Sequence, residues 1–134
     1  GQMEVLSLRI QQRRINFDFY QKALNKINGI RFVKEPNSDY YSNRWLSTIL
    51  LRDENTREEI RLALEKENIE SRPLWKPMHL QPVFADAPFY GNGISEQLFE
   101  KGLCLPSGSN LSESDLQLVI EGIKNIASRL IPIH

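Results

Sequence analysis

The sequence predicts an α+β domain, with a small, mainly antiparallel sheet, helices packed on one face of that sheet and a long N-terminal helix. The chain has 134 residues, of which 40% are hydrophobic and 25% charged, which is enough for one domain with its own core. Helical and extended patterns follow in the order helix, strand, strand, helix, strand, loop, helix, strand, helix. This order is typical of helices layered on a sheet, and we expect residues 1–134 to form a single domain.

The first helix is predicted to run from Glu4 to about Ile27, because apolar residues recur at helical spacing and Asn28-Gly29 is a common helix end. Its apolar residues form two stripes, Val5, Leu8, Ile15 and Phe19 in the first and Leu6, Ile10, Phe17 and Leu24 in the second. A surface helix of a small domain normally needs one such stripe. We therefore expect residues 1–28 to be a linking helix that is buried on two sides. Arg13 and Arg14 are expected on a solvated face, or bridging two domains in a larger assembly.

Three short strands and a helix are predicted between the first helix and the middle of the chain. Ile30–Lys34 and Trp45–Leu51 are the first two strands, because apolar and β-branched residues are concentrated there. The helix begins near Asn55, since Glu58 follows three residues later as in a capping box. Ile69–Leu74 is predicted to be the third strand.

The C-terminal part is predicted to contain a short helix, a strand and a long helix. Ser95 is placed to cap the short helix and Gly102 to end it. Leu103–Leu105 is an apolar strand that Pro106 closes, and Ser112 is placed to cap the last helix. The core stripe of that helix consists of Leu116, Val119, Ile120, Ile123 and Ala127.

The segment Glu70–Pro82 carries the strongest functional signal in the chain. It gathers Arg72, Trp75, Lys76 and His79 on a stretch that contains three prolines. Proline fixes φ and biases the preceding residue toward extended geometry, so these side chains are held in place. The segment can therefore present cations and a titratable ring to an anionic ligand.

Three residues of this segment are candidates for substrate binding. His79 can supply a hydrogen bond or a switchable charge near neutral pH, or it can be a loop histidine bonded to the backbone. Lys76 can bind a phosphate as a flexible point charge, or it can be solvated. Trp75 can stack on a sugar or a base, or it can close a domain interface.

Composition argues against several classes of function. The 17 basic residues balance the 17 acidic ones, so no dominant electrostatic footprint for a nucleic acid is expected. No apolar run reaches the roughly 18 residues that a membrane-spanning helix needs, so no membrane partner is expected. The single cysteine, Cys104, lies between two leucines and has no second cysteine for a disulfide or a metal site. We expect a buried strand thiol, no metal and a reducing, cytoplasmic setting.

Four motifs in order along the chain carry a resemblance to a known family. They are Arg13-Arg14-Ile15-Asn16-Phe17 with Tyr20, Ile69-Glu70-Ser71-Arg72-Pro73 leading to Pro77-Met78-His79, Gly102-Leu103-Cys104-Leu105-Pro106-Ser107-Gly108, and Leu111-Ser112-Glu113-Ser114-Asp115-Leu116. With these motifs the chain resembles the C-terminal domain of the sugar aminotransferases of the DegT/DnrJ/StrS family, which are pyridoxal-phosphate enzymes of fold type I. The resemblance covers nearly the whole chain.

The resemblance implies a parent enzyme that transfers an amino group, with glutamate as the expected donor, to the keto group of a nucleotide-linked sugar. In the family, a larger N-terminal domain carries the lysine that forms the Schiff base with pyridoxal phosphate. No lysine of this chain lies in that lysine's motif, so we assign no catalytic or cofactor-binding residue and expect the chain alone to be inactive. His79, Lys76 and Trp75 would help to position the sugar nucleotide in one wall of the active site. The second stripe of the first helix would face the missing large domain, and the parent is expected to be a homodimer.

A second interpretation is a stand-alone α+β module that binds a protein or a small ligand without catalysis. The balanced charge allows this interpretation, whereas the two-striped helix disfavours it unless the module oligomerises. An RNA-binding module is disfavoured, because the sequence shows neither a basic stripe nor paired aromatic residues on a strand.

Overall fold

The computed structural model of the chain describes residues 1–130 and confirms the α+β fold. The helices are α1 (Leu6–Leu24), α2 (Glu54–Lys66), α3 (Ile94–Lys101) and α4 (Glu113–Leu130), and the strands are β1 (Arg31–Phe32), β2 (Ser47–Leu50), β3 (Arg72–Pro73) and β4 (Gly102–Leu105). Short 3-10 turns cover Gln2–Val5, Met78–Leu80 and Pro82–Phe84. The predicted order of elements is therefore confirmed along the described chain.

The four strands form one antiparallel sheet in the order β1-β2-β4-β3. Residues from β2 and β4 point alternately to its two faces, and Ile49 lies opposite Leu103 in the register. Both side chains are fully buried, and they share one core with residues of three helices. Those helix residues are Tyr20 and Leu24 of α1, Ile60 and Leu64 of α2, and Leu116, Val119, Ile120, Ile123 and Ala127 of α4. Helices α1, α2 and α4 thus cover one face of the sheet.

The N-terminal ends of the helices match the predictions in part. Ser112 caps α4 as predicted, because its Oγ accepts from the Asp115 N–H at 3.2 Å while the Asp115 carboxylate accepts from the Ser112 N–H at 2.8 Å. The cap of α2 is Asp53, whose carboxylate accepts from the Thr56 N–H at 2.8 Å, and the prediction that the helix begins near Asn55 was off by one or two residues. The cap of α3 is Gly93, so the prediction of Ser95 was wrong.

The prediction of two separately covered stripes on α1 was wrong. Phe17 and Leu24, both assigned to the second stripe, are buried within this domain, whereas Leu6 of the same stripe is exposed. The exposed apolar residues of α1 and of the 3-10 turn before it are Met3, Val5, Leu6, Leu8 and Ile15. Of these, Val5, Leu8 and Ile15 come from the first stripe and Leu6 from the second. The helix divides along its length, because its buried residues, Asn16, Phe17, Tyr20 and Leu24, all lie from Asn16 onward.

The three strands predicted before α3 are all shorter in the structure. β3 contains only Arg72 and Pro73 instead of the whole of Ile69–Leu74. The Ile69 N–H donates to the Leu64 carbonyl and so belongs to the end of α2, which turns at Asn68 with a positive φ of 59°. None of the helices in the described part of the chain is long and apolar enough to cross a membrane.

Candidate functional site

An open groove of about 620 Å³ lies beside β3 and β4. Trp45, which precedes β2, and Trp75, which follows β3, both line it, and their ring centroids are 6.1 Å apart with a 30° angle between the ring planes. The two indoles are 60% and 66% exposed, although an indole is among the largest apolar groups in proteins. The groove thus offers two flat aromatic surfaces to a ligand or to another domain.

Trp75 is placed by the close approach of its neighbour to β4. The Leu74 N–H donates to the Gly102 carbonyl at 3.2 Å. A Cβ on Gly102 would lie 2.5 Å from the backbone oxygen of Leu98 and 2.1 Å from the Leu74 side chain, so only glycine fits at this position. The chain therefore stays paired with β4 up to Leu74 and then enters the loop, which places Trp75 at the groove.

Trp45 is placed by the first helix and by the turn after β4. Arg13 donates through Nη1 to the Trp45 carbonyl at 2.6 Å and to the Ser107 carbonyl at 3.1 Å. The Ser107 hydroxyl accepts from the Ser47 N–H at 2.7 Å and donates to the Leu105 carbonyl at 2.7 Å. The prediction that Arg13 lies on a solvated face was wrong, because its guanidinium is used inside the domain.

Two further residues of α1 hold the same turn. Asn16 donates to the Gly108 carbonyl at 2.9 Å, and the Tyr20 hydroxyl donates to the Pro106 carbonyl at 2.9 Å. With Arg13 on Ser107, three consecutive carbonyls each accept one side-chain hydrogen bond from α1. Burial raises the pKa of Tyr20 well above its ordinary value, and the charge of Asp115 raises it further. The hydroxyl therefore stays protonated and serves as a donor.

Glu35 organises the polar connector that leads to Trp45. Its carboxylate accepts from Arg14 at 2.8 Å, from Arg44 at 2.9 Å and from the Ser42 N–H at 2.8 Å. The hydrogen bond from Arg14 comes first among the causes that lower the pKa of Glu35 to about 2. The Arg14 guanidinium also lies 4.1 Å from the centre of the Tyr41 ring. The expectation that Arg14 is simply solvated was therefore wrong.

The three predicted substrate-binding residues lie in different surroundings. Trp75 lines the groove, and Lys76 beside it is exposed. His79 is half-buried, with Nε2 2.6 Å from the Glu96 carboxylate and its ring stacked at 3.7 Å on Phe89. Its contacts are therefore with a carboxylate and an aromatic ring, whereas the sequence suggested either a ligand or the backbone.

Sequence reasoning missed Trp45 and Glu96 as members of this region. Trp45 was interpreted only as the start of a strand, and Glu96 only as part of a short helix. Trp45 is 30 residues from its partner Trp75 and Glu96 is 17 residues from His79, so no local motif could have paired them. Cys104 is the buried strand thiol that was expected, and burial raises its pKa.

Comparison with known proteins places the chain in a family. The sequence pattern of the DegT/DnrJ/EryC1/StrS aminotransferase family matches residues 1–124. The chain belongs to this family. It is 45% identical over 125 residues to EpsN of Bacillus subtilis strain 168, whose name describes a pyridoxal phosphate-dependent aminotransferase, and that match covers 90% of this chain and 32% of EpsN. It is also 31% identical over 128 residues to the GDP-perosamine synthase of Escherichia coli O157:H7, with 96% of this chain and 34% of that protein covered.

A solved structure of the family shows the same fold. The aminotransferase TlmJ from Streptoalloteichus hindustanus superposes with a TM-score of 0.85 at 22% sequence identity, over 96% of this chain and 34% of that one. The chain therefore spans about a third of the length of the relatives it matches.

The described residues do not form a site for the pyridoxal phosphate that the family implies. Covalent attachment of this cofactor needs a lysine in a pocket. Six lysines are exposed, namely Lys22, Lys26, Lys34, Lys66, Lys76 and Lys124. Lys101 is half-buried at the end of α3, and it does not line the groove beside β3 and β4. Residues 1–130 also contain no group of three or more histidine, cysteine, aspartate or glutamate residues that could hold a metal ion.

Proposed function

We propose that this chain is the C-terminal small domain of a pyridoxal-phosphate-dependent aminotransferase that acts on a nucleotide-linked keto sugar. The observation that carries the proposal is the family match over residues 1–124 in a chain that spans about a third of its relatives. Since the lysines of this chain form no cofactor site, the cofactor chemistry belongs to the rest of the protein. The name of one relative, GDP-perosamine synthase, supports a sugar nucleotide as the substrate class.

In this proposal the groove beside β3 and β4 forms one wall of the active site. Trp75, with Trp45 next to it, supplies flat apolar surface for the base or the sugar ring. Lys76 supplies a positive charge for the diphosphate that links them. His79 holds the loop on which both Trp75 and Lys76 lie, because its own ring is engaged by Glu96 and Phe89.

The exposed half of α1 supports a large domain as the partner of this chain. Met3, Val5, Leu6, Leu8 and Ile15 are exposed apolar residues of α1 and of the 3-10 turn that precedes it. We propose that they belong to an interaction surface, since exposed apolar patches mark interaction sites in soluble proteins. We propose that residues 1–28 link this domain to the cofactor-binding domain, in a cytoplasmic homodimer that uses an amino-acid donor.

Steady-state kinetics of the full-length protein test the proposal. Lys76→Ala should lower kcat/KM for the keto sugar nucleotide by roughly tenfold or more, because a charge-assisted hydrogen bond contributes roughly 1.5–3 kcal/mol. The affinity for pyridoxal phosphate should be unchanged. Lys124→Ala, which removes an exposed lysine of α4, is the matched control.

Two results would contradict the proposal. If Lys76→Ala and Trp75→Ala both matched the wild type in kcat/KM, the loop would not belong to the site. If the full-length protein bound no pyridoxal phosphate and transferred no amino group, the stand-alone binding module would be the better interpretation.

A further inference from the structure

The loop of residues 75–91 makes few hydrogen bonds to the rest of the domain. Its backbone hydrogen bonds stay within it, in the turns at Met78–Leu80 and Pro82–Phe84. The Gln81 side chain also bonds only to the loop's own Lys76 carbonyl and Met78 sulfur. Within residues 1–130, the contact of His79 with Glu96 is the only hydrogen bond that joins this loop to an element outside it. Hydrogen bonding therefore joins the loop to the rest of the domain at one carboxylate of α3, and Pro77 is the one residue of the loop that is buried.

The geometry around His79 restrains its ring in two directions. Glu96 Oε1 is 2.6 Å from His79 Nε2, and the Phe89 ring is stacked on the imidazole at 3.7 Å with a 20° angle between the planes. An ionised carboxylate can only accept a hydrogen bond, so Nε2 must carry the proton. Glu96 thus fixes both the orientation and the tautomer of the ring, as carboxylates that accept from a histidine N–H commonly do.

We infer that Glu96 is a positioning residue that acts through His79 to fix the loop presenting Trp75 and Lys76. The inference rests on the proposed function, because it concerns how that wall of the site is held. A loop with prolines at 77, 82 and 88 is stiff along the chain but still needs a fixed attachment to the domain. Glu96 supplies that attachment, and its own place at the first turn of α3 is set by the helix.

The first test measures the contact between Glu96 and His79 directly and needs no enzyme activity. In the 15N-labelled chain at high pH, where an imidazole is neutral, the nitrogen shifts of His79 should report the proton on Nε2. Glu96→Ala should give a mixture of tautomers and faster amide exchange in residues 75–91. Glu96→Gln keeps a side-chain oxygen that can accept and should restore part of both, whereas Glu100→Ala on the exposed side of the same helix should change neither. An unchanged tautomer and unchanged exchange in Glu96→Ala would overturn the inference.

The second test asks whether the contact between Glu96 and His79 affects binding of the substrate. In the full-length enzyme, Glu96→Ala should raise KM for the keto sugar nucleotide about tenfold, the factor that corresponds to about 1.4 kcal/mol. KM for the amino donor and the affinity for pyridoxal phosphate should be those of the wild type, and Glu96→Gln should recover part of the loss. If the tautomer changes and KM for the sugar nucleotide does not, the positioning role is refuted while the proposed function stands. A wild-type enzyme without aminotransfer would refute the proposed function and the role in substrate positioning together, and the nitrogen shifts would still decide whether Glu96 holds the loop.

Discussion

Tyr20→Phe should destabilise the domain by loosening the turn that follows β4. The side chain is fully buried, and its hydroxyl donates to the Pro106 carbonyl at 2.9 Å. The substitution removes one oxygen and keeps the ring, so the core packing changes little. The substitution removes the hydroxyl that donates to the Pro106 carbonyl, which then has lost this hydrogen-bond partner.

The expected loss in the free energy of unfolding is about 1–2 kcal/mol. An average hydrogen bond contributes about 1 kcal/mol, and leaving the partly buried Pro106 carbonyl unpaired raises the cost toward the upper end of the range. The neighbouring bonds from Arg13 and Asn16 remain, so the turn should not detach. Urea unfolding of the wild type, Tyr20→Phe and Tyr90→Phe measures this, since Tyr90 is 94% exposed and its variant is the matched control. Equal stability of the two variants would refute the role given to the Tyr20 hydroxyl.

The pH dependence gives an independent check on the same residue. Burial raises the pKa of Tyr20 in the folded state, whereas in the unfolded state the hydroxyl ionises near its ordinary value of about 10. The unfolded state therefore loses its proton first as the pH rises, and the stability that depends on this group falls above about pH 10. Tyr20→Phe should lack this part of the alkaline loss. A wild type and a variant with parallel stability curves between pH 8 and pH 11 would contradict the argument.

Three further outcomes are expected. Glu35→Gln should remove an acid sensitivity of the wild type. The pKa of Glu35 is lowered to about 2 in the folded state, so the ionised carboxylate stabilises the fold above the ordinary pKa of a glutamate, and this stability is lost as the pH falls toward 2. The difference between the urea midpoints at pH 7 and pH 3 should therefore be smaller in the variant. The isolated chain should associate through the exposed half of α1. In sedimentation velocity, the double variant Leu8→Glu with Ile15→Glu should be shifted to monomers, whereas Leu118→Glu should not. A wild type that is monomeric at high concentration would contradict this. Borohydride reduction of the chain with pyridoxal phosphate should label no lysine stoichiometrically, as mass spectrometry of the peptides would show.

Local patterns in the sequence predicted the elements but not their partners. The strand Leu103–Leu105 and the cap at Ser112 were predictable because each depends on residues within a few positions. The contact of Arg13 with Ser107 joins residues 94 positions apart, and no local pattern encodes it. The burial of α1 from Asn16 onward also depends on which other elements pack against the helix, which periodicity along one helix cannot show.

The turn that supports the groove is held by hydrogen bonds to backbone carbonyls and not to the side chains that face the groove. Arg13, Asn16 and Tyr20 donate to backbone carbonyls after β4, and a carbonyl is present whatever side chain the residue carries. The position of the turn therefore depends on three residues of α1 and on the chain path, and not on the side chains that face the groove. Substitutions of Trp75 or Lys76 should thus change what the groove binds without disturbing the turn that supports it.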